Sequence, residues 1–196
     1  MRFPVAVAAA SAVLVCAVPA VAAPADAGAV VPAASRGASV LSGTYDRLDG
    51  KSINLASLRG RVVMVVNTAS HCGFTPQYSG LEALWKSRRA DGVTVVGVPS
   101  RDFKQELPTD GQVAKFCKLN FGVTFPMLHV SRVTGRKAIP LMRGLAKPSW
   151  SHQPDWNFNK YLIDRQGRPA MRFTSSVEPD APEVTRAINA LLAEKA

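Results

Sequence analysis

A mixed α/β fold, with a central mixed β-sheet flanked by helices, is predicted by three patterns in the sequence. First, Arg61 to Asn67 and Val93 to Val98 enclose runs of consecutive apolar, mostly β-branched residues, as strands buried on both faces do. Between them, Leu81, Leu84, Trp85 and Arg88 fall on one side of a helix, and the right-handed crossover rule makes the flanking strands parallel neighbours. Second, Phe158 to Ile163 and Ala170 to Phe173 read as two strands joined by the turn Asp164-Arg165-Gln166-Gly167. Third, Pro179 to Leu192 is a closing helix, with Val184, Ile188, Leu191 and Leu192 on one face and Asp180 and Glu183 in its first turn. A parallel βαβ half followed by a hairpin and a closing helix is the thioredoxin-like arrangement.

The other elements follow in chain order. The first residues carry one early Arg, an uncharged run from Phe3 to Ala23 and small residues at Ala20-Val21-Ala22, which reads as a signal peptide over 1–22. A retained membrane helix is the rival reading, disfavoured by Pro4, Pro19 and the Ala-rich composition. Val15 before Cys16 lacks the small residue that a lipid-modified cysteine requires, so Cys16 is expected to leave with the signal, and export to the periplasm or medium follows. Residues 23–42, rich in Ala, Pro, Gly and Ser, read as a flexible linker, and 43–196 as one domain. Tyr45 to Leu55 suggests a hairpin turning at Asp49-Gly50. Thr109 to Asn120 is a short helix capped by Thr109 or Asp110, with Val113, Phe116 and Cys117 at apolar spacing.

The chain of 196 residues, 47% hydrophobic and 19% charged, suffices for one ordinary core. Three cysteines are too few for a disulfide framework. The net charge of +10 comes from Lys and Arg scattered singly or in pairs rather than gathered with aromatics, so no nucleic-acid partner is expected. Stable membrane insertion is not expected either. His71, His129 and His152 are unclustered and lack metal-ligand spacing, so neither a metal nor another cofactor is expected.

Chemistry concentrates around Cys72, in the loop between the first buried strand and the first helix. Thr75-Pro76 supplies a cap followed by Pro at the first helical position, and a cysteine facing a helix N-terminus is favoured as the thiolate. Thr75 stands where a Cys-x-x-Cys motif needs its second cysteine, which disfavours thiol-disulfide exchange on other proteins. A single thiolate suits attack on an electrophile such as a peroxide oxygen. An ordinary thiol, of pKa about 8.5, is already a few per cent ionised at neutral pH, so full ionisation gains at most about 30-fold, or about 2 kcal/mol. The larger share of any acceleration must come from orienting the peroxide and supplying a proton to the departing oxygen. Cys117, by periodicity, is a packed cysteine on a helix; His71 reads as a solvated neighbour of Cys72.

Three segments, Cys72-Gly73-Phe74-Thr75-Pro76-Gln77-Tyr78, Phe116 to Pro126 and Trp156-Asn157-Phe158, resemble the glutathione peroxidase family in its cysteine-containing form, over about residues 44 to 194. The resemblance implies a catalytic tetrad of Cys72, Gln105, Trp156 and Asn157, whose three neutral side chains can all donate N–H groups. At Phe103-Lys104-Gln105-Glu106 the chain departs from the family's usual Phe-Gly-x-Gln-Glu, being one residue shorter and lacking the Gly, which puts the position of Gln105 in question. The resemblance also makes Cys117 the resolving cysteine, and implies a hydroperoxide substrate, a thioredoxin-like protein or glutathione as reductant, and a monomer. A peroxide-sensing thiol protein that relays oxidation to a partner is the alternative.

Overall fold

The computed structural model describes Met1 and residues 30–195, so the expected signal peptide, its cleavage site and Cys16 lie outside the described residues. The domain opens with a hairpin, β1 (Thr44–Asp46) and β2 (Ser52–Asn54), in which Tyr45 stands opposite Ile53. Then follow β3 (Val62–Thr68), α1 (Gln77–Arg88), β4 (Val93–Pro99), α2 (Asp110–Phe121), α3 (Pro140–Leu145), β5 (Lys160–Ile163), β6 (Pro169–Phe173) and α4 (Pro182–Ala193). The main sheet has the order β4-β3-β5-β6. β3 runs parallel to β4 and antiparallel to β5, and β5 pairs antiparallel with β6. The predicted parallel half and hairpin half therefore meet along β3. Among the described residues no helix is long and apolar enough to cross a membrane.

Alternate residues of a strand face opposite sides, so the fully buried β3 and β4 feed two cores. On one side Val62, Met64, Val66, Val93 and Val95 pack with Tyr78 and Leu81 of α1, Val113 of α2 and Ile188 of α4. On the other, Val63, Val65, Val96 and Val98 pack with Leu41, Leu128 and the α3 residues Leu141, Met142 and Leu145. Each such side chain contributes about 1.5–3 kcal/mol when fully buried, which makes the sheet a rigid base for the loops at its ends.

Three details differ from the sequence reading. The inward face of α1 is Tyr78, Leu81 and Glu82, with Leu84, Trp85 and Arg88 only partly buried. Glu82 turns inward because its carboxylate accepts the Thr124 backbone N–H (2.7 Å) and hydroxyl (2.6 Å). The helix α3 was not expected, since six residues are too few to show a period. Finally, residues 30–42 are packed rather than a free tether. Val31 N–H donates to the Ala170 carbonyl (3.0 Å) and Val40 N–H to that of Gly167 (2.8 Å), while Leu41 is wholly buried. The buried Arg36 guanidinium binds Asp164 (2.9 Å) and both oxygens of Glu194 (2.6 and 2.7 Å). Composition misled here because one buried ion cluster suffices to seat a small-residue segment.

Candidate active site

The C-terminal end of β3 carries the Cys72 loop. Thr75 shapes it by reaching backwards: its hydroxyl accepts the Cys72 N–H (3.0 Å) and donates to the Ala69 carbonyl (2.9 Å). Thr75 therefore does not cap α1. Successive tight turns through Phe74 and Thr75 lead into the helix, which starts at Gln77 after Pro76 in helical conformation. Cys72 is only 7% exposed, and the Phe74 N–H points at its sulfur at 3.5 Å. That amide is a donor placed where negative charge resides on a nucleophilic sulfur.

Gln105 is held against this loop by the His71 N–H, which donates to its carbonyl (2.9 Å). Its side-chain oxygen accepts from Asn157 Nδ2 (2.8 Å), so the two amides predicted for the site are in contact. The shortened segment manages this because Lys104 takes a left-handed conformation, φ +58°, in place of the expected glycine. Asn157 is completely buried, and its carbonyl accepts the Ser175 hydroxyl (2.6 Å).

Trp156 lies on the rim, 42% exposed, with its ring 5.5 Å from that of Phe103. Its carbonyl accepts from both Asn67 Nδ2 and Asn159 Nδ2, each at 2.9 Å. Asn67 also accepts from Phe158 N–H through its backbone (2.6 Å) and from Asn159 N–H through its side chain (3.0 Å). These bonds hold Phe158 at φ +62°, a conformation that costs a non-glycine residue about 1–3 kcal/mol. The twist sends the Phe158 ring into the core, edge-on to Tyr78 at 5.4 Å, while Trp156 stays at the surface. Asn67 and Asn159 escaped sequence reasoning. The available signal was an amide closing a run of valines in a strand buried on both faces.

The structure thus brings Gln105 to Asn157 and both to the Cys72 segment, but among the described residues no side chain of Gln105, Trp156 or Asn157 hydrogen-bonds the sulfur. His71 is exposed, its ring 6.1 Å from Phe116 of α2. Cys117 sits on the inner side of α2, 2% exposed, in the same apolar cluster as Cys72, and both thiols are free. Burial pushes the Cys117 thiol up to about 11 from its ordinary value, against the pull of the Tyr78 hydroxyl beside it.

A glutathione peroxidase family profile matches residues 41–146. The chain belongs to the glutathione peroxidase family. This glutathione peroxidase homologue is 41% identical over 155 residues to the hydroperoxy fatty acid reductase gpx1 of Synechocystis, covering 74% of this chain and 90% of that one. It is 39% identical over 149 residues to the glutathione peroxidase-like peroxiredoxin GPX5 of Chlamydomonas reinhardtii, covering 73% and 92%. Among solved structures, Trgpx in apo form aligns with a TM-score of 0.63 at 29% identity, over 82% of this chain and 99% of that one. The glutathione peroxidase family therefore accounts for the thioredoxin-like sheet and for the reactive position of Cys72 at its edge.

Proposed function

We propose that this thiol peroxidase reduces hydrogen peroxide and organic hydroperoxides by a two-cysteine cycle. The Cys72 thiolate attacks the terminal peroxide oxygen, the O–O bond breaks, and Cys72 becomes a sulfenic acid while water or an alcohol leaves with one added proton. Gln105, Asn157 and Trp156 orient the peroxide through neutral N–H donors, closing on the sulfur from the positions described above. Cys117 then displaces water from the sulfenic acid to form a disulfide, and a thioredoxin-like protein or glutathione reduces it. Because Cys117 starts buried in α2, part of that helix opens in each turnover. The enzyme acts as a monomer, with no nucleic-acid partner, outside the cytoplasm after loss of residues 1–22.

The observation that carries the reading is the Cys72 sulfur, met by the Phe74 N–H and flanked by a buried Gln105–Asn157 pair that the His71 backbone fixes in place. The test is peroxide-dependent oxidation of thioredoxin by the mature chain, beside Cys72→Ser and Cys117→Ser. Expected are sustained turnover by the parent, none by Cys72→Ser, and a single equivalent of peroxide consumed by Cys117→Ser before it stalls. A parent that itself stops after one equivalent, with glutathione no better as donor, overturns the cycle in favour of a peroxide sensor.

A further inference from the structure

Inside the apolar cluster that contains both cysteines, three polar side-chain atoms lie buried without a hydrogen-bond partner among the described residues: Thr68 Oγ1, Tyr78 Oη and Glu106 Oε2. They are neighbours. The Tyr78 hydroxyl lies between the Thr68 hydroxyl and the Cys117 sulfur, close enough to influence the acidity of that thiol without settling into a bond of ordinary geometry. Glu106, 9% exposed, adds a carboxylate whose charge is felt at both Tyr78 and Cys117. Unpaired polar atoms in a core cost about 1–3 kcal/mol each, so a cluster of them calls for an explanation beyond packing.

The two oxygens of Glu106 differ sharply. Oε1 is saturated: it accepts from Ser70 N–H (3.1 Å), the Ser70 hydroxyl (2.5 Å) and Leu107 N–H (2.8 Å). Those bonds tie the segment before Gln105 and Glu106 to the residue two places ahead of Cys72, and a neutral amide oxygen would serve them equally well. Oε2 has no such duty. A bare, buried carboxylate oxygen beside a thiol, on a side chain anchored to the loop of the other cysteine, is placed to move a proton between two sulfur centres.

We propose that Glu106 is the base for the second half of the cycle, its Oε2 taking the proton from Cys117 as that sulfur attacks the Cys72 sulfenic acid, with the Tyr78 hydroxyl steadying the emerging thiolate. The proposal rests on the resolving role of Cys117 given above. The Cys117 S–H bond breaks and its proton passes to Glu106. The Cys117–Cys72 S–S bond forms as the S–O bond of the sulfenic acid breaks, and the departing hydroxide takes the proton from Glu106 to leave as water. Cys117 is oxidised and Cys72 reduced to the disulfide level, so no outside oxidant or reductant enters this step.

The need for a base follows from burial. A thiol pushed up to about 11 is ionised at neutral pH only to about one part in ten thousand, against a few per cent for an ordinary thiol. Burial also raises the Glu106 acid constant, against the opposing hydrogen bonds from Ser70 and Leu107, which makes it a stronger proton acceptor. The titratable groups facing it are His71 from the Cys72 loop, Tyr78 from α1 and Cys117 from α2.

The test treats reduced full-length enzyme with one equivalent of hydrogen peroxide, quenches by alkylation, and follows sulfenic acid and disulfide by mass spectrometry from pH 6 to 10. Expected in Glu106→Gln is a fall of about tenfold to a hundredfold in disulfide closure relative to the peroxide step of the same protein at pH 7. The deficit should shrink as the pH rises and Cys117 ionises unaided, and Glu106→Asp should recover part of the rate. A ratio equal to the parent's, or a deficit of the same size at every pH, overturns the proposal and leaves Glu106 a structural tie. A parent that never forms the Cys72–Cys117 disulfide removes the resolving role itself, and this proposal with it, before any variant is compared.

Discussion

Lys160 puts an ammonium group where the fold has only backbone oxygens to receive it. The residue is completely buried in β5, and its Nζ donates to the carbonyls of Thr174, Ser175 and Val177. Ser175 also receives Gln77 Nε2 on its carbonyl and offers its hydroxyl to Asn157, so Lys160 helps to seat the segment behind the active-site amide. Burial lowers its acid constant to about 8, with the charge of Glu178 only partly opposing. The unfolded chain, with an ordinary value near 10.5, therefore binds more protons than the folded one between about pH 8 and 10.5, and stability rises with pH across that window. Cys117 works in the opposite sense between about pH 9 and 11, because its raised thiol stays protonated in the fold while the unfolded chain ionises. Comparing the parent with Lys160→Met under reducing conditions cancels the Cys117 contribution. The parent should gain up to about 3 kcal/mol on the variant between pH 8 and 10.5 in urea titrations. A constant difference between the two proteins would show that the ammonium is not carried into the core.

At the scale of elements, what could be read from sequence was whatever repeats. β3 and β4 announced themselves through consecutive β-branched residues, and α4 through Val184, Ile188 and Leu191, which are fully buried. What could not be read depends on single polar contacts: Glu82 turning α1 to reach Thr124, Thr75 folding back onto Ala69, and the Asn67–Asn159 clasp behind Trp156. The pairing of Gln105 with Asn157 was legible only by resemblance, since no local pattern joins residues so far apart. The helix α2 combines both kinds of information. Thr109 caps it as expected, in a reciprocal box with Gln112, and Gly122 closes it in the left-handed conformation. Asp110 accepts the Val130 N–H (3.0 Å) and pairs with His129, so the N-terminal end of α2 is pinned to the following loop. If opening of α2 limits disulfide closure, weakening that end should help it. Thr109→Ala removes a cap contributing about 1 kcal/mol, and disulfide closure after a peroxide pulse should accelerate by up to about fivefold while thermal stability falls. Slower stability loss without faster closure would mean that Cys117 moves by another route.

For the whole molecule, residues 30–42 join the two chain ends to the sheet edge through Arg36. Its guanidinium meets Asp164 in the β5–β6 turn and Glu194 just after α4, while Arg168 holds the same Asp164 oxygen from the other side at 2.8 Å. Arg36 and Asp164 side chains are both fully shielded from water, so removing the cation leaves a buried carboxylate with one partner fewer. This cluster sits at the end of the sheet opposite Cys72, because antiparallel pairing sets Ile163 beside Val63 at the start of β3. The two ends should therefore separate experimentally. Arg36→Ala should lose about 3 kcal/mol in urea denaturation, the low end for a broken buried pair since Arg168 remains, and keep the parent's rate of peroxide consumption at 25 °C. A chain beginning at residue 23 should match the parent, whereas one beginning at 43 should lose at least as much stability as Arg36→Ala. Equal stability of those two truncations would return residues 23–42 to the role of a passive tether and place the start of the domain at the hairpin.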